Sequence, residues 1–233
     1  MDRPRLALLN ASFNGEDTSR NFRRELDADI AEYDAHEQIP ATFDFDGIVV
    51  TGSAASVYWD EPWIDDLLDW VTEAVNRGLP HLGVCYGHQV LAEALGGEVR
   101  DMDGYEIGYR EVNRVGESIL LEGLEDPFTV FTTHGDEVVE LPPGAEPIAE
   151  NDYANHGFQR DHVFTVQFHP EYDMETAKRV TEGKDFLGEE RIQRTLEGIT
   201  DENYARACEA KQLFDNFVGY VHEIQDVGRP LAR

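Results

Sequence analysis

The stretch Pro80-His81-Leu82-Gly83-Val84-Cys85-Tyr86-Gly87-His88-Gln89-Val90-Leu91-Ala92-Glu93-Ala94-Leu95-Gly96-Gly97 decides the fold. Leu82 and Val84 lead into a cysteine set between two glycines, and Val90, Leu91, Ala94 and Leu95 then recur on one helical face. The pattern predicts a strand, a sharp turn and a helix. Gly83 and Gly87 leave room where neighbouring side chains would collide, and the turn lifts the Cys85 thiol to a helix N-terminus, where the helix dipole favours the thiolate. Free cysteines are ordinarily buried and inert. For Cys85 to be a nucleophile, the rest of the chain has to supply a base and an oxyanion site.

Upstream, Arg5 to Asn10 reads as a buried strand and residues 11–17 as a polar loop at its carboxyl end. Thr18 or Ser19 is the expected cap of a short helix through Leu26, followed by a weaker strand, Ile30 to Tyr33. The Ile48-Val49-Val50 run suits a parallel strand covered on both faces. It ends in the small-residue loop Thr51-Gly52-Ser53-Ala54, at a strand end where open α/β sheets bind ligands and bare backbone N–H groups can hold an anion. Pro62 opens a helix with an apolar stripe of Trp63, Leu67, Trp70, Val71 and Ala74, which Gly78 closes.

Downstream the pattern turns strand-like. Ile107 to Val115, Ile119 to Leu121, Phe128 to Thr133, Ile148-Ala149 and Val163 to Phe168 are short apolar runs divided by Gly, Pro and Asp. From Asp173 the chain is helical, with Ala205, Cys208, Leu213, Phe217, Tyr220 and Val221 on an apolar face and Asp201 as the expected cap. The expected fold class is therefore α/β: an open, mostly parallel sheet flanked by helices, with antiparallel additions. Residues 1–172 form its domain and residues 173–233 a C-terminal helical extension packed on it.

The formal charge of −29, from 48 acidic against 19 basic residues, repels phosphate backbones and anionic membranes. Neither nucleic acid nor a membrane is an expected partner. Cys85 and Cys208 make no disulfide framework, and neither an apolar run long enough to span a bilayer nor a signal peptide is evident, so a cytoplasmic protein is expected. Lysine occurs only at Lys178, Lys184 and Lys211, and the acids are spread along the chain. So large a charge destabilises a compact state unless salt screens it, which points to a high-salt cytoplasm.

The strand Val163 to Phe168 delivers His169 and, two residues on, Glu171. His169 can act as general base for Cys85, and Glu171 can fix the imidazole tautomer and stabilise its cation. With these residues in view the chain resembles a class I (triad-type) glutamine amidotransferase domain of flavodoxin-like fold. The resemblance rests on Gly83-Val84-Cys85-Tyr86-Gly87-His88-Gln89, Thr132-Thr133-His134-Gly135-Asp136-Glu137-Val138 and Gln167-Phe168-His169-Pro170-Glu171, in that order.

The resemblance implies that Cys85 attacks the side-chain amide of glutamine, giving a thioester and ammonia, and that water assisted by His169 releases glutamate. It places the oxyanion at the backbone N–H of Tyr86 and at the Gly52-Ser53 loop, and the substrate against Gln89, His134, Gly135 and Asp136. It implies no cofactor. No metal is expected either, because the spacing of His81, His88, His134 and His169 matches no ligand signature. Two departures stand out: Ser53-Ala54 replaces the second glycine and the proline of the family's usual Gly-Gly-Pro loop, and the helical tail does not resemble an ammonia-using synthetase. Three functions stay open: a glutaminase feeding a separate synthetase of the GMP synthase type, a stand-alone hydrolase of γ-glutamyl amides or peptides, and a non-catalytic glutamine-binding regulator.

Overall fold

In β1 (Arg5–Asn10) successive side chains enter opposite layers: Leu6 and Leu8 pack with Val49, Leu82 and Val84, whereas Ala7 and Leu9 pack with Ile48 and Val50. A strand covered on both faces has no solvated side to alternate with, which is why it reads as a continuous apolar run. The computed structural model describes residues 3–13 and 15–228. Met1, Asp2, Asn14 and residues 229–233 lie outside the described residues, and with them both ends of the expected division and one residue of the expected 11–17 loop.

The remaining strands are β2 (Asp29–Asp34), β3 (Gly47–Val50), β4 (His81–Val84), β5 (Glu98–Arg114), β6 (Phe128–Glu140), β7 (Glu146–Glu150), β8 (Asn155–Arg160) and β9 (Val163–Val166). Among the described residues they form one sheet in the order β2-β1-β3-β4-β9-β8-β7-β5-β6. The β2-β1-β3-β4-β9 part is parallel, and β8, β7, β5 and β6 add antiparallel strands. The parallel part follows the flavodoxin-like order, in which the carboxyl strand ends around β1 and β3 leave a crevice.

The helices are α1 (Gly15–Glu25), α2 (Pro62–Asn76), α3 (Tyr86–Ala94), α4 (Met174–Glu182), α5 (Glu189–Glu197), α6 (Asp201–Ala207) and α7 (Gln212–Gly228). Leu67, Trp70, Val71 and Ala74 of α2 cover one sheet face. Leu213, Phe214, Phe217 and Val221 of α7, with Phe22 of α1, cover the other, each large side chain worth about 1.5–3 kcal/mol of burial. Ala177 of α4 packs on Ile107 and Phe131, with Tyr105, Tyr172 and Leu187 against them, so the segment after residue 173 also roofs β5 and β6.

Four local expectations are corrected. α1 begins at Gly15, not at a Thr18 or Ser19 cap: Glu16 and Asp17 occupy its first turn, where the dipole favours acids, and Ser19 Oγ donates instead to Glu32 Oε2 at 2.6 Å. Ile119–Leu121 is a 3-10 turn capped by Ser118, an apolar run too short for periodicity to decide. Thr200, not Asp201, caps α6, its side chain accepting from Asn203 N–H at 3.2 Å, while Asp201 lies in the first turn. β8 was not expected, because Asn155-His156-Gly157-Phe158-Gln159-Arg160 is mostly polar; it is an interior strand whose buried His156 is hydrogen-bonded.

Candidate active site

At the carboxyl end of β4 the chain turns through Cys85, whose φ of 54° and ψ of −103° are sparsely populated for a residue with a Cβ. Such strain costs on the order of 1–3 kcal/mol and persists only where the surroundings enforce it. Here Cys85 N–H donates to Val166 O at 2.8 Å and Gly87 N–H to Thr51 O at 3.1 Å. The two glycines are needed because backbone passes against backbone: a Cβ on Gly83 would meet Gly87 O at 2.4 Å, and one on Gly87 would meet Val50 O at 2.2 Å. Cys85 thus becomes the N-cap of α3, with Tyr86 its first residue.

β9 ends one strand away, and the chain after it brings His169 to the thiol. His169 N–H donates to Phe131 O at 2.9 Å, its ring stacks on Tyr172 at 4.1 Å, and its Nδ1 pairs with Glu171 Oε1 at 2.8 Å. A carboxylate only accepts, so Nδ1 carries the proton and Nε2 is left for Cys85. Burial alone would lower the His169 pKa, but the negative charges of Cys85 and Glu171 outweigh it and push the imidazole up to about 10. Cys85 Sγ also lies 4.0 Å from the Thr133 carbonyl oxygen.

Gly52 closes the other side. A Cβ there would stand 2.8 Å from His169 Cε1 and 3.6 Å from Cys85 Cβ, so the loop after β3 touches both residues. Ser53 does not adopt the left-handed backbone that favours glycine; among the described residues Cys85 and Asp161 are the non-glycine residues that do. Its Oγ accepts from Ala55 N–H at 3.1 Å, fixing the loop.

Cys85, Gln89, Thr133, Gly135 and Asp136 line a cleft of about 590 Å³. Gln89 Nε2 donates to Gln167 Oε1 at 3.1 Å and to Asp136 O at 3.3 Å. Asp136 Oδ1 accepts from Tyr58 OH at 2.8 Å. His134 reaches this wall from behind: Nδ1 donates to Asp136 O at 3.0 Å and Nε2 pairs with the buried Glu106 Oε2 at 2.7 Å.

Glu106 also takes His156 Nε2 at 3.1 Å and Asn151 Nδ2 at 2.7 Å. Burial would raise its pKa, but the two histidines hold the carboxyl well below the usual carboxylate range. Among the described residues Glu106, His134 and His156 are near enough to one another to hold a metal ion. Yet their bonds close as a charge pair without one, and His156 Nδ1 lacks the second partner that a ligating imidazole ordinarily has. His81 and His88 are core residues: burial lowers His81 to about 4, and burial with the nearby His156 and His134 lowers His88 to about 3.

Sequence reasoning missed Glu106 and His156, and also Tyr105, Lys184 and Arg191. Tyr105 OH bonds Thr133 Oγ1 at 2.9 Å, and Lys184 and Arg191 line the cleft. The scarcity of lysine was the available signal for Lys184.

An open α/β sheet that sets a thiol on a strained strand-to-helix turn, beside an imidazole held by a carboxylate, defines a class of α/β proteins with a cysteine at the carboxyl edge of the sheet. Within that class the chain belongs to the glutamine amidotransferase class-I family, whose model matches residues 12–187. It is 44% identical over 126 residues to a GMP synthase [glutamine-hydrolyzing] of Thermomicrobium roseum, covering 54% of this chain and 23% of that protein. It is 39% identical over 147 residues to the enzyme of that name from Vibrio vulnificus, covering 61% of this chain and 26% of that one. The chain thus spans about a quarter of the length of these relatives.

Among solved structures, a glutamine amidotransferase from Thermotoga maritima superposes with a TM-score of 0.79 at 25% identity, over 94% of this chain and 99% of that one. A glutamine amido transferase from Methylobacillus flagellatus shares the fold, with a TM-score of 0.75 at 21% identity over 96% and 95% of the two chains. No helix among the described residues is long and apolar enough to cross a membrane.

Proposed function

We propose that the chain hydrolyses the side-chain amide of glutamine through a cysteinyl thioester and supplies the ammonia to a separate synthetase of the GMP synthase type. The meeting of Cys85, His169 and Glu171 beside the Gly52 loop carries this proposal. Cys85 Sγ attacks the amide carbon, and the oxyanion is held by the N–H of Tyr86 and one from the Gly52-Ser53 loop, each donor worth on the order of 10²- to 10³-fold in rate. As the C–N bond breaks, imidazolium His169 passes its Nε2 proton to the nitrogen, which leaves as ammonia. Water then attacks the thioester, neutral His169 takes its proton, and glutamate departs as the thiol is restored. Glu171 holds the ring and its charge throughout.

Gln89, Gly135 and Asp136 hold the glutamyl portion in the cleft, with His134 shaping the loop from behind. Residues 173–228 act as an extension of the same domain, and the surface charge suits a high-salt cytoplasm. The synthetase partner is supported by the GMP synthases whose matching segment is about a quarter of their length.

Glutamate and ammonia release from glutamine, measured in concentrated KCl with and without a GMP synthetase and its nucleotide substrates, tests the assignment. Equimolar release that rises when the synthetase turns over is expected. Release of glutamate from γ-glutamyl peptides but not from glutamine would move the chain to the stand-alone hydrolases, and glutamine binding without any turnover would make it a regulator.

A further inference from the structure

In a chain with 48 acidic residues, cations are expected to find carboxylates, and most described arginines and lysines do. Lys184 and Arg191 are exceptions inside the cleft that holds Cys85. Arg191 donates to the Tyr105 carbonyl oxygen and Lys184 Nζ stands 5.3 Å from the Tyr105 ring centre, but among the described residues neither has a carboxylate within ion-pair distance. Tyr105 joins them to the thiol's surroundings, since its hydroxyl bonds Thr133 Oγ1 at 2.9 Å and its ring packs against Gly135. Lys184 also borders the pocket around His169 and Glu171. Asp101 and Asp136 line the same cleft, so its wall offers both signs of charge, as an α-amino acid head group requires.

We propose that Lys184 and Arg191 bind the α-carboxylate of the substrate. The site then selects γ-amides of glutamate whose α-carboxylate is free, and it rejects glutamine whose carboxylate is blocked in a peptide bond. The turn and helix after α4 thereby become part of the substrate site, with the two cations as positioning residues that never touch the reacting amide. This inference rests on the amide-hydrolase proposal for its choice of ligand.

The test compares L-glutamine with 4-aminobutanamide, the same amide without the carboxylate. Binding of each is measured by calorimetry to the Cys85→Ala protein at one fixed KCl concentration. Lys184→Gln and Arg191→Gln are each expected to weaken glutamine about 10- to 100-fold, the range for a hydrogen bond to a charged group. Both should leave 4-aminobutanamide unchanged, and Arg191→Lys should restore part of the loss. Lys184→Gln removes no hydrogen bond among the described residues, so it keeps the test valid if Arg191→Gln loosens the contact with Tyr105.

Equal loss for both ligands, no loss for either, or no binding of glutamine at all overturns the proposal. The two assignments fail differently. A wild-type chain that binds glutamine through these cations but never releases glutamate refutes the hydrolase and leaves the carboxylate site standing. One that hydrolyses both amides equally well does the reverse.

Discussion

Replacing Gly52 by alanine places one methyl group where the loop after β3, Cys85 and His169 meet. The new Cβ would lie 2.8 Å from His169 Cε1, about 0.6 Å inside the 3.4 Å at which ordinary contact begins. His169 has little room to retreat, because its ring lies against Tyr172 at 4.1 Å and is tied to Glu171 at 2.8 Å. Either the imidazole or the loop carrying Gly52 and Ser53 must therefore move by half an ångström or more. Misplacement on the order of 1 Å costs about 10²-fold when reacting groups must be aligned. We expect Gly52→Ala to lower kcat for glutamate release by roughly that factor, with KM for glutamine little changed. Thermal unfolding should stay near wild type, since the clash is confined to a loop and a side chain. A Gly52→Ala protein with wild-type kcat would refute the placement of this loop against His169 in the working enzyme.

Three further outcomes follow from charge. Glu171→Gln removes a negative charge that helps push His169 up to about 10, so the alkaline limb of kcat/KM should move to lower pH, toward the ordinary histidine value of 6.5; a pH profile checks this, and an unmoved limb would contradict it. That raised pKa also stabilises the fold below pH 6.5, a contribution lost as pH rises through about 10. Glu106→Gln removes the buried carboxylate that bonds His134, His156 and Asn151 and should cost about 1–3 kcal/mol in denaturant unfolding. Because the Glu106 carboxyl is held low, its contribution is present above the unfolded value near 4.5 and fades as pH falls through the folded one, so the variant should show a shallower acid limb of stability. The net charge of −29 predicts a melting temperature that climbs as KCl is raised, and full stability in dilute buffer would sink the high-salt assignment.

The turn at Cys85 was legible because its requirements are local: two glycines, one thiol and an apolar run on each side. The strand ends carrying Gly52 and His169 were legible for a related reason, since parallel strands buried on both faces leave continuous apolar runs whose carboxyl ends mark a ligand crevice. β8 was not legible because tertiary pairing, not apolar alternation, makes Asn155–Arg160 a strand. Glu106 and His156 are distant in sequence from His134, and only the closure of β5, β6 and β8 turns three separate polar residues into one buried charge network. Lys184 and Arg191 are further still from Cys85, and the packing of Leu187 with the Ile107 and Phe131 cluster brings their segment over the cleft.

The central claim is a covalent glutamyl intermediate on Cys85. Acid-quenching the wild-type chain within its first turnovers on glutamine, followed by intact-mass and peptide mass spectrometry, tests it most directly. The account predicts an added glutamyl group on the peptide bearing Cys85, formed and lost at rates that bracket glutamate release and absent from Cys85→Ala, which should release no glutamate. Glutamate release that persists in Cys85→Ala would contradict it.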